Sequence, residues 1–488
     1  MKPVLFILIM MGAVFGQDQL RFGDYFIDQT LRIDYYHTAD KETEIFTLDQ
    51  LYRQGPWAGS TRHLMEPYDL GTYRALLIDI ASNRVIFSKG FNSYCEEYRT
   101  TAPAREGVMR TFHESVLTPF PKKPVRFVLE VSDRENLRHP VYSRVIDPAD
   151  YHIISEAPGR NDRVYRLLES GPAHQKVDLL LLGEGYTKNE EEKFAKDARR
   201  YCDLIFQWEP YKSQRKRFNV SAIFSPSQES GTDEPRKGSY KNTVLNTSFN
   251  ALDSERYLLT EDNQTLRDIA GQVPYDALLI MINSARYGGG GIYNAYTTFT
   301  ADDKRSEFLL IHEMGHSFAG LADEYYTSSV SYEEFFAPGV EPRPVNITAL
   351  LDPENLKWRH LLSPGIAIPT DWQQDVFDSL SAALAQAGRD KSAGLAEMKT
   401  AGASETALKT AEAQYQEKID QINAEITRFF VEHPLRGKVG AFEGGGYAGS
   451  GLYRPTLNSV MHKFMDDEKT FYPVNSEGII QVINYYSE

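Results

Sequence analysis

Two histidines four residues apart, His312 and His316, stand in the stretch "FLLIHEMGHSFAGLADEYY" at residues 308–326, with Glu313 beside the first. Apolar residues recur around them at helical spacing through "SEFLLIHEMGHSF". On a helix, positions i and i+4 share a face, so both imidazoles can hold one Zn2+ through neutral ring nitrogens. Glu313 sits about 100° further round the helix. It cannot easily join the same ligand set, but it can reach a water on the metal and act as a general base. A catalytic zinc keeps a third protein ligand and leaves its fourth position for water. Gly320 is a good helix stop, because glycine accepts the left-handed turn, and carboxylates follow it. Asp323 is the first candidate for the third ligand, Glu324 the second and Glu443 the third. A core helix without a metal would bury two histidines and a glutamate unpaired, which is costly.

Such a helix needs a scaffold, and the chain changes character along its length. From Gln17 to about Arg166 it shows short alternating runs such as "TLRIDYYHT" and "YRALLIDIAS", punctuated by Gly, Pro, Asn and Asp. That pattern predicts an antiparallel all-β sandwich over 17–165, an accessory domain with no cluster of catalytic residue types. A linker is expected around 155–174. From about 175 the pattern is α/β: "KVDLLLLGEGYT", "RFNVSAIFS" and "YDALLIMINS" read as buried strands, with a helix at "KNEEEKFAKDARRYCDLIFQW". The catalytic domain is therefore placed at 175–488, with residues 366–434, rich in Ala, Glu, Lys and Gln, as a helical insertion. The insertion reads as a hairpin, one long amphipathic helix running from Ala403 onward. The run Gly288–Gly291 lacks the Lys-Ser/Thr of a phosphate cradle. A glycine run beside a strand more often marks a bulge or a close backbone approach; near an active site its backbone, Gly290 included, can pair with an extended substrate.

The 488 residues carry a formal net charge of −15, which argues against nucleic acid and acidic membranes as partners. The start, "MKPVLFILIMMGAVFGQ", has one Lys, a short apolar run and a small-residue end. It reads as a signal peptide over 1–16, so the mature protein is expected to be secreted, periplasmic or at the cell surface, with no membrane insertion. The two cysteines, Cys95 and Cys202, cannot build a disulfide framework or a structural zinc cluster; they read as free, packed thiols, with a single bridge between them the alternative in an oxidising compartment. Any metal must be held by His and carboxylates.

Two segments together resemble a known family. "HEMGHSFAGLADEYY" is similar to the zinc signature of the secreted bacterial IgA-peptidase-like metallopeptidases, relatives of the metzincins, and "FEGGGYAGSGLYRPTLNSVMH" at 442–462 is similar to their block before the Met-turn. The resemblance implies a β domain followed by a metzincin-like α/β zinc peptidase domain, with one Zn2+ per chain and Met461 as the apolar floor beneath it. Metzincins place their glycine three residues and their third ligand six residues after the second His; here Gly320 is four after and Asp323 seven after. Several metzincins carry a Tyr two residues after the Met, where Lys463 stands here, so that role falls to Tyr447 or Tyr453. His462 is expected to pack, Arg454 to brace the turn, and Trp358 and His360 to lie in a buried segment. The expected activity is hydrolysis of peptide bonds in protein or peptide substrates, and the family name implies a host immunoglobulin or other glycoprotein among the candidates. The reading from another class is a glycan- or protein-binding surface protein whose metal site is structural or vestigial, motivated by the β-rich front domain; the intact Glu313 argues against it.

Overall fold

The computed structural model describes residues 20–155, 160–326, 335–462 and 468–487. The expected leader peptide and Lys463 lie outside them. Among the described residues no helix is long and apolar enough to cross a membrane.

The front of the chain builds two antiparallel sheets. One contains β1 (Phe26–Ala39), β2 (Glu44–Arg53) and β5 (Arg110–Pro121), in the order β2-β1-β5. The other contains β3 (Tyr73–Asp79), β4 (Arg84–Phe91), β6 (Val125–Ser132) and β7 (Arg138–Ile146), in the order β4-β3-β6-β7. Alternate residues of both sheets, among them Leu31, Ile33, Leu77, Val116 and Phe127, meet in one apolar cluster, which is what the alternating pattern demands. Short helices α1 (Phe22–Tyr25), α2 (Tyr94–Arg99) and α3 (Ala102–Arg105) flank them.

The second part is mixed α/β. Its six-stranded sheet runs β14-β15-β13-β9-β10-β8, from β8 (Arg163–Leu168), β9 (Val177–Glu184), β10 (Phe218–Phe224), β13 (Ala277–Ile282), β14 (Gly289–Ile292) and β15 (Tyr296–Thr300). The four inner strands are parallel, and the two outer ones pair antiparallel with their neighbours. The continuous apolar run of β9 has a simple cause: Leu179 and Leu181 enter the core on one face, while Leu180 and Leu182 enter a second core on the other. Helices α4 (Glu191–Ile205), α6 (Ser306–Ala319) and α9 (Tyr472–Ser487) contribute to the first core, α5 (Asn263–Ala270) to the second. A small ladder of β11 (Ser248–Phe249) and β12 (Leu258–Leu259) lies beyond the sheet.

One boundary differs from the sequence reading. β8 falls inside the stretch expected to be a linker, and it pairs with β10 as an edge of the second sheet. Its six residues are exposed or half-buried and lack strict alternation, so nothing local marks them as a strand. The expected hairpin is present as α7 (Gln374–Thr400) and α8 (Glu405–Glu432), with Ser404 capping the second helix. Its base is anchored by Trp372, Phe377, Ile426 and Phe430, packed on Phe442 and Leu457. Phe442 and Leu457 belong to or adjoin the hairpin of β16 (Val439–Gly445) and β17 (Ala448–Thr456). Both cysteines are free and buried.

Candidate metal centre

Helix α6 is buried along almost its whole length, which is why its apolar residues do not confine themselves to one stripe. It ends at Gly320, in the left-handed region at φ 61°, whose N–H donates to the His316 carbonyl at 3.0 Å. The chain then doubles back and carries Asp323 towards the two histidines.

The imidazoles are oriented from behind. His312 Nδ1 lies 2.8 Å from the Val460 carbonyl and His316 Nδ1 lies 2.7 Å from the Leu321 carbonyl. A carbonyl only accepts, so each Nδ1 carries the proton and each Nε2 presents a lone pair. Those lone pairs converge: the two Nε2 atoms are 3.2 Å apart, and Asp323 Oδ1 is 3.2 Å from one and 3.3 Å from the other. Asp323 Oδ1 is buried without a hydrogen-bond donor, while its Oδ2 accepts from the Tyr447 hydroxyl. Three acceptors at this spacing need a cation between them. Tetrahedral zinc with ligands at about 2.0 Å would separate neighbouring ligand atoms by about 3.3 Å, so the three residues fit that ion. Without a metal, a proton answers the same demand. Burial opposes a charged His316, but Asp323 and then Glu313 push its pKa up to about 9. Burial likewise opposes the Asp323 carboxylate, which the two imidazoles nevertheless hold well below the usual range.

Glycines let the parts close up. A Cβ on Gly315 would lie 2.4 Å from the Met461 sulfur, so the residue between the histidines is bare where the thioether packs. A Cβ on Gly291 would lie 2.5 Å from the Glu313 carbonyl oxygen, so β14 presses on the helix at the expected general base. Gly290 and Gly291 line, with His312, Glu313 and His316, a cleft of about 1060 Å³. Thr72, Asn92 and Arg99 from the front region form part of its wall. The outward N–H of Gly289 is already used, donating to the Arg256 carbonyl at 3.2 Å.

Two family models match this chain. One, described as IgA Peptidase M64, covers residues 165–483, and the other, described as Peptidase M64 N-terminus, covers residues 21–143. The chain belongs to the M64 peptidase family. The longer match begins within β8, in agreement with that strand's place in the second sheet. No curated protein matches the chain.

The M64 fold sorts the remaining candidates. Asp323, with His312 and His316, forms the one group of potential metal ligands found among the described residues. Glu324 turns away from it. Its carboxylate is fully buried and accepts from Ser459 Oγ at 2.6 Å, Asn346 Nδ2 at 3.0 Å and Asn475 Nδ2 at 2.9 Å. Its N–H donates to the Met461 carbonyl at 2.8 Å, so Glu324 ties the returning chain to the Met461 segment instead of holding metal. Glu443 is also elsewhere, accepting from the Gly451 N–H at 3.0 Å. Tyr453 does not line the cleft; it packs beside Leu356, Trp358 and Val439, and its backbone pairs with Thr348. Tyr447 does line the cleft, with its hydroxyl engaged on Asp323. His462 packs among Phe377 and Phe430. Arg454 is fully buried, donating to the carbonyls of Glu443, Gly444 and Leu457 under the Trp372 ring. Trp358 is buried as expected, but His360 is exposed and pairs with Glu477 at 2.8 Å. The sequence reading missed Tyr325 and Arg256, which also face the cleft; Tyr325 stands at the end of the quoted zinc signature without a role assigned to it, and Arg256 stands in no motif that could have flagged it.

Proposed function

We propose that the protein is a secreted zinc-dependent endopeptidase whose metal ligands are His312, His316 and Asp323. The observation that carries this reading is the convergence of three lone-pair donors, and no fourth among the described residues, on the floor of a long cleft beside Glu313. A three-ligand set with room for water is the pattern of catalytic zinc, whereas structural zinc is closed by four protein ligands. When bound there, zinc would supply Lewis acidity and lower the pKa of a water molecule.

The chain's own residues perform the remaining tasks. Glu313 takes the proton of the attacking water and returns it to the nitrogen of the leaving amine. Val460 and Leu321 hold the imidazoles in the tautomer that leaves Nε2 free. Tyr447 fixes the Asp323 carboxylate. Met461, against Gly315, supplies an apolar support for the helix in the manner of the metzincin Met-turn. Gly290 and Gly291 offer side-chain-free backbone against which an extended peptide can lie. The family's name, IgA peptidase, makes immunoglobulin A a substrate to include in any screen.

Glu313→Gln keeps the ligands and removes the base. The expected result is about one zinc per chain, as in the wild type, with hydrolysis of a quenched-peptide library reduced by at least about 100-fold. Undiminished hydrolysis in that variant would refute the mechanism, and absence of bound zinc in the wild type after reconstitution would refute the metal site.

A further inference from the structure

Arg256 lines the cleft together with the metal-site residues, and the proposed mechanism leaves its chemistry unused. Its backbone is fixed against β14, with its carbonyl accepting from Gly289 and the adjacent Tyr257 bridging to the same glycine. Its half-buried side chain therefore springs from the wall of the cleft next to Gly290, Gly291 and Glu313. A guanidinium has five N–H donors in a planar fork. Here it hydrogen-bonds the Tyr325 side chain, and the Glu313 carboxylate pulls on its charge. Among the described residues no carboxylate forms an ion pair with it.

Two fully buried arginines differ. Arg32 is met by Asp34 and Asp268 at 2.5 and 2.6 Å, and Arg454 is wrapped in backbone carbonyls. A half-buried guanidinium that keeps donors unspent and faces a cleft is built for a planar, two-oxygen acceptor. The surroundings make such a group significant. The Glu313 carboxylate would repel an anionic substrate from this wall, and Arg256 is a cation close enough to offset it locally.

We propose that Arg256 is a specificity-determining residue that binds a carboxylate of the substrate, so that cleavage is directed to peptide bonds near an anionic group. The inference rests on the peptidase reading above. The carboxylate has two possible sources, an Asp or Glu side chain close to the scissile bond or the C-terminal carboxylate of a shorter peptide, and the recognition chemistry is the same for both.

The test compares zinc-loaded wild type, Arg256→Gln and Arg256→Lys on matched peptides. One set exchanges Glu for Gln at each position flanking the cleaved bond, and the other exchanges a free C-terminus for an amide. The expected result is a loss in kcat/KM of roughly 10- to 100-fold in Arg256→Gln on carboxylate-bearing peptides, with neutral partners changed less than about threefold. Arg256→Lys should recover only part of the loss, because a point charge cannot reproduce the fork. The Glu/Gln set identifies a side-chain carboxylate, and the acid/amide set a terminal one. An equal loss on charged and neutral peptides, together with a shifted acid limb of the pH–rate profile, would overturn the proposal and make Arg256 a positioning residue for Glu313. If the wild type binds zinc but cleaves none of the peptides, the peptidase reading fails separately. Anisotropy binding of the same fluorescent peptides then decides the carboxylate claim: discrimination of Glu from Gln, or of acid from amide, that vanishes in Arg256→Gln supports it, and equal binding overturns it.

Discussion

Tyr447 shows how much of the site depends on a single hydroxyl 124 residues away in sequence from the group it serves. Asp323 has two oxygens; one faces the histidines and the other accepts from Tyr447. That second bond fixes the carboxylate's rotation, and outer partners of this type typically tune metal affinity by about 10- to 100-fold. Tyr447→Phe should therefore weaken zinc binding by that factor in chelator competition, with little change in fold by circular dichroism. Unchanged affinity would mean that the backbone bonds of Gly446 to Asp323 and of Tyr447 to Tyr325, at 2.9 and 3.0 Å, suffice to hold the ligand. At this scale the sequence was legible only where the chemistry was local. His312, Glu313, His316, Gly320 and Asp323 lie on one helix and the turn that ends it, so helical geometry relates them directly. The choice between Asp323 and Glu324 was not legible, because it turns on Ser459, Asn346 and Asn475, distant residues that claim the second carboxylate. Tyr447 and Tyr453 could not be told apart either, since they lie on one hairpin and only its packing sends the first to the cleft and the second to an apolar cluster.

Among the elements, the contact of β14 with α6 is the one on which catalysis would depend most. The four consecutive glycines suggested close backbone approach or a surface open to a peptide, and the close approach is present at Gly291. Gly291 leaves no room for a methyl group, because Glu313's own carbonyl oxygen occupies the place at 2.5 Å. Gly291→Ala must push the strand from the helix at Glu313, the proposed general base. Overpacking of this kind costs roughly 1–3 kcal/mol. The expected outcome is a lower melting temperature and a fall in kcat, with zinc content retained because no ligand is touched. Full activity at reduced stability would show that Glu313 does not need this contact. Elements with a strong local signal were readable from sequence: the helical period of α4 and α8, the unbroken apolar run of β9, and the apolar stretch of α6 around its two histidines. β8 was not, since an exposed edge strand of six residues is specified mainly by its pairing with β10.

For the whole molecule, the front region is more than an appendage, because the cleft has walls from both parts of the chain. The sequence reading treated 17–165 as accessory on the ground that it lacks catalytic residue types, a criterion blind to shape. Its seating on the peptidase domain is specific: Arg32, entirely buried in β1, reaches Asp268 on α5, Asn92 donates its N–H to the Tyr293 carbonyl at 2.9 Å, and Asn294 Nδ2 donates to the Gly90 carbonyl at 2.7 Å. Tyr293 immediately follows the glycine strand, so this seam and the floor of the cleft are mechanically continuous. Asp268→Ala would leave the Arg32 guanidinium buried with Asp34 as its remaining carboxylate partner, at a cost of roughly 1–3 kcal/mol given that Asp268 is partly exposed. All three proposed metal ligands and their supports at Val460, Leu321 and Tyr447 lie in the other part, so zinc stoichiometry should not change. The loss should appear instead as a higher KM for peptides long enough to touch both walls, with a smaller change for short ones. If long and short substrates respond equally, the front region stabilises the enzyme without shaping its substrate path; if zinc is lost, the seam reaches the metal centre itself.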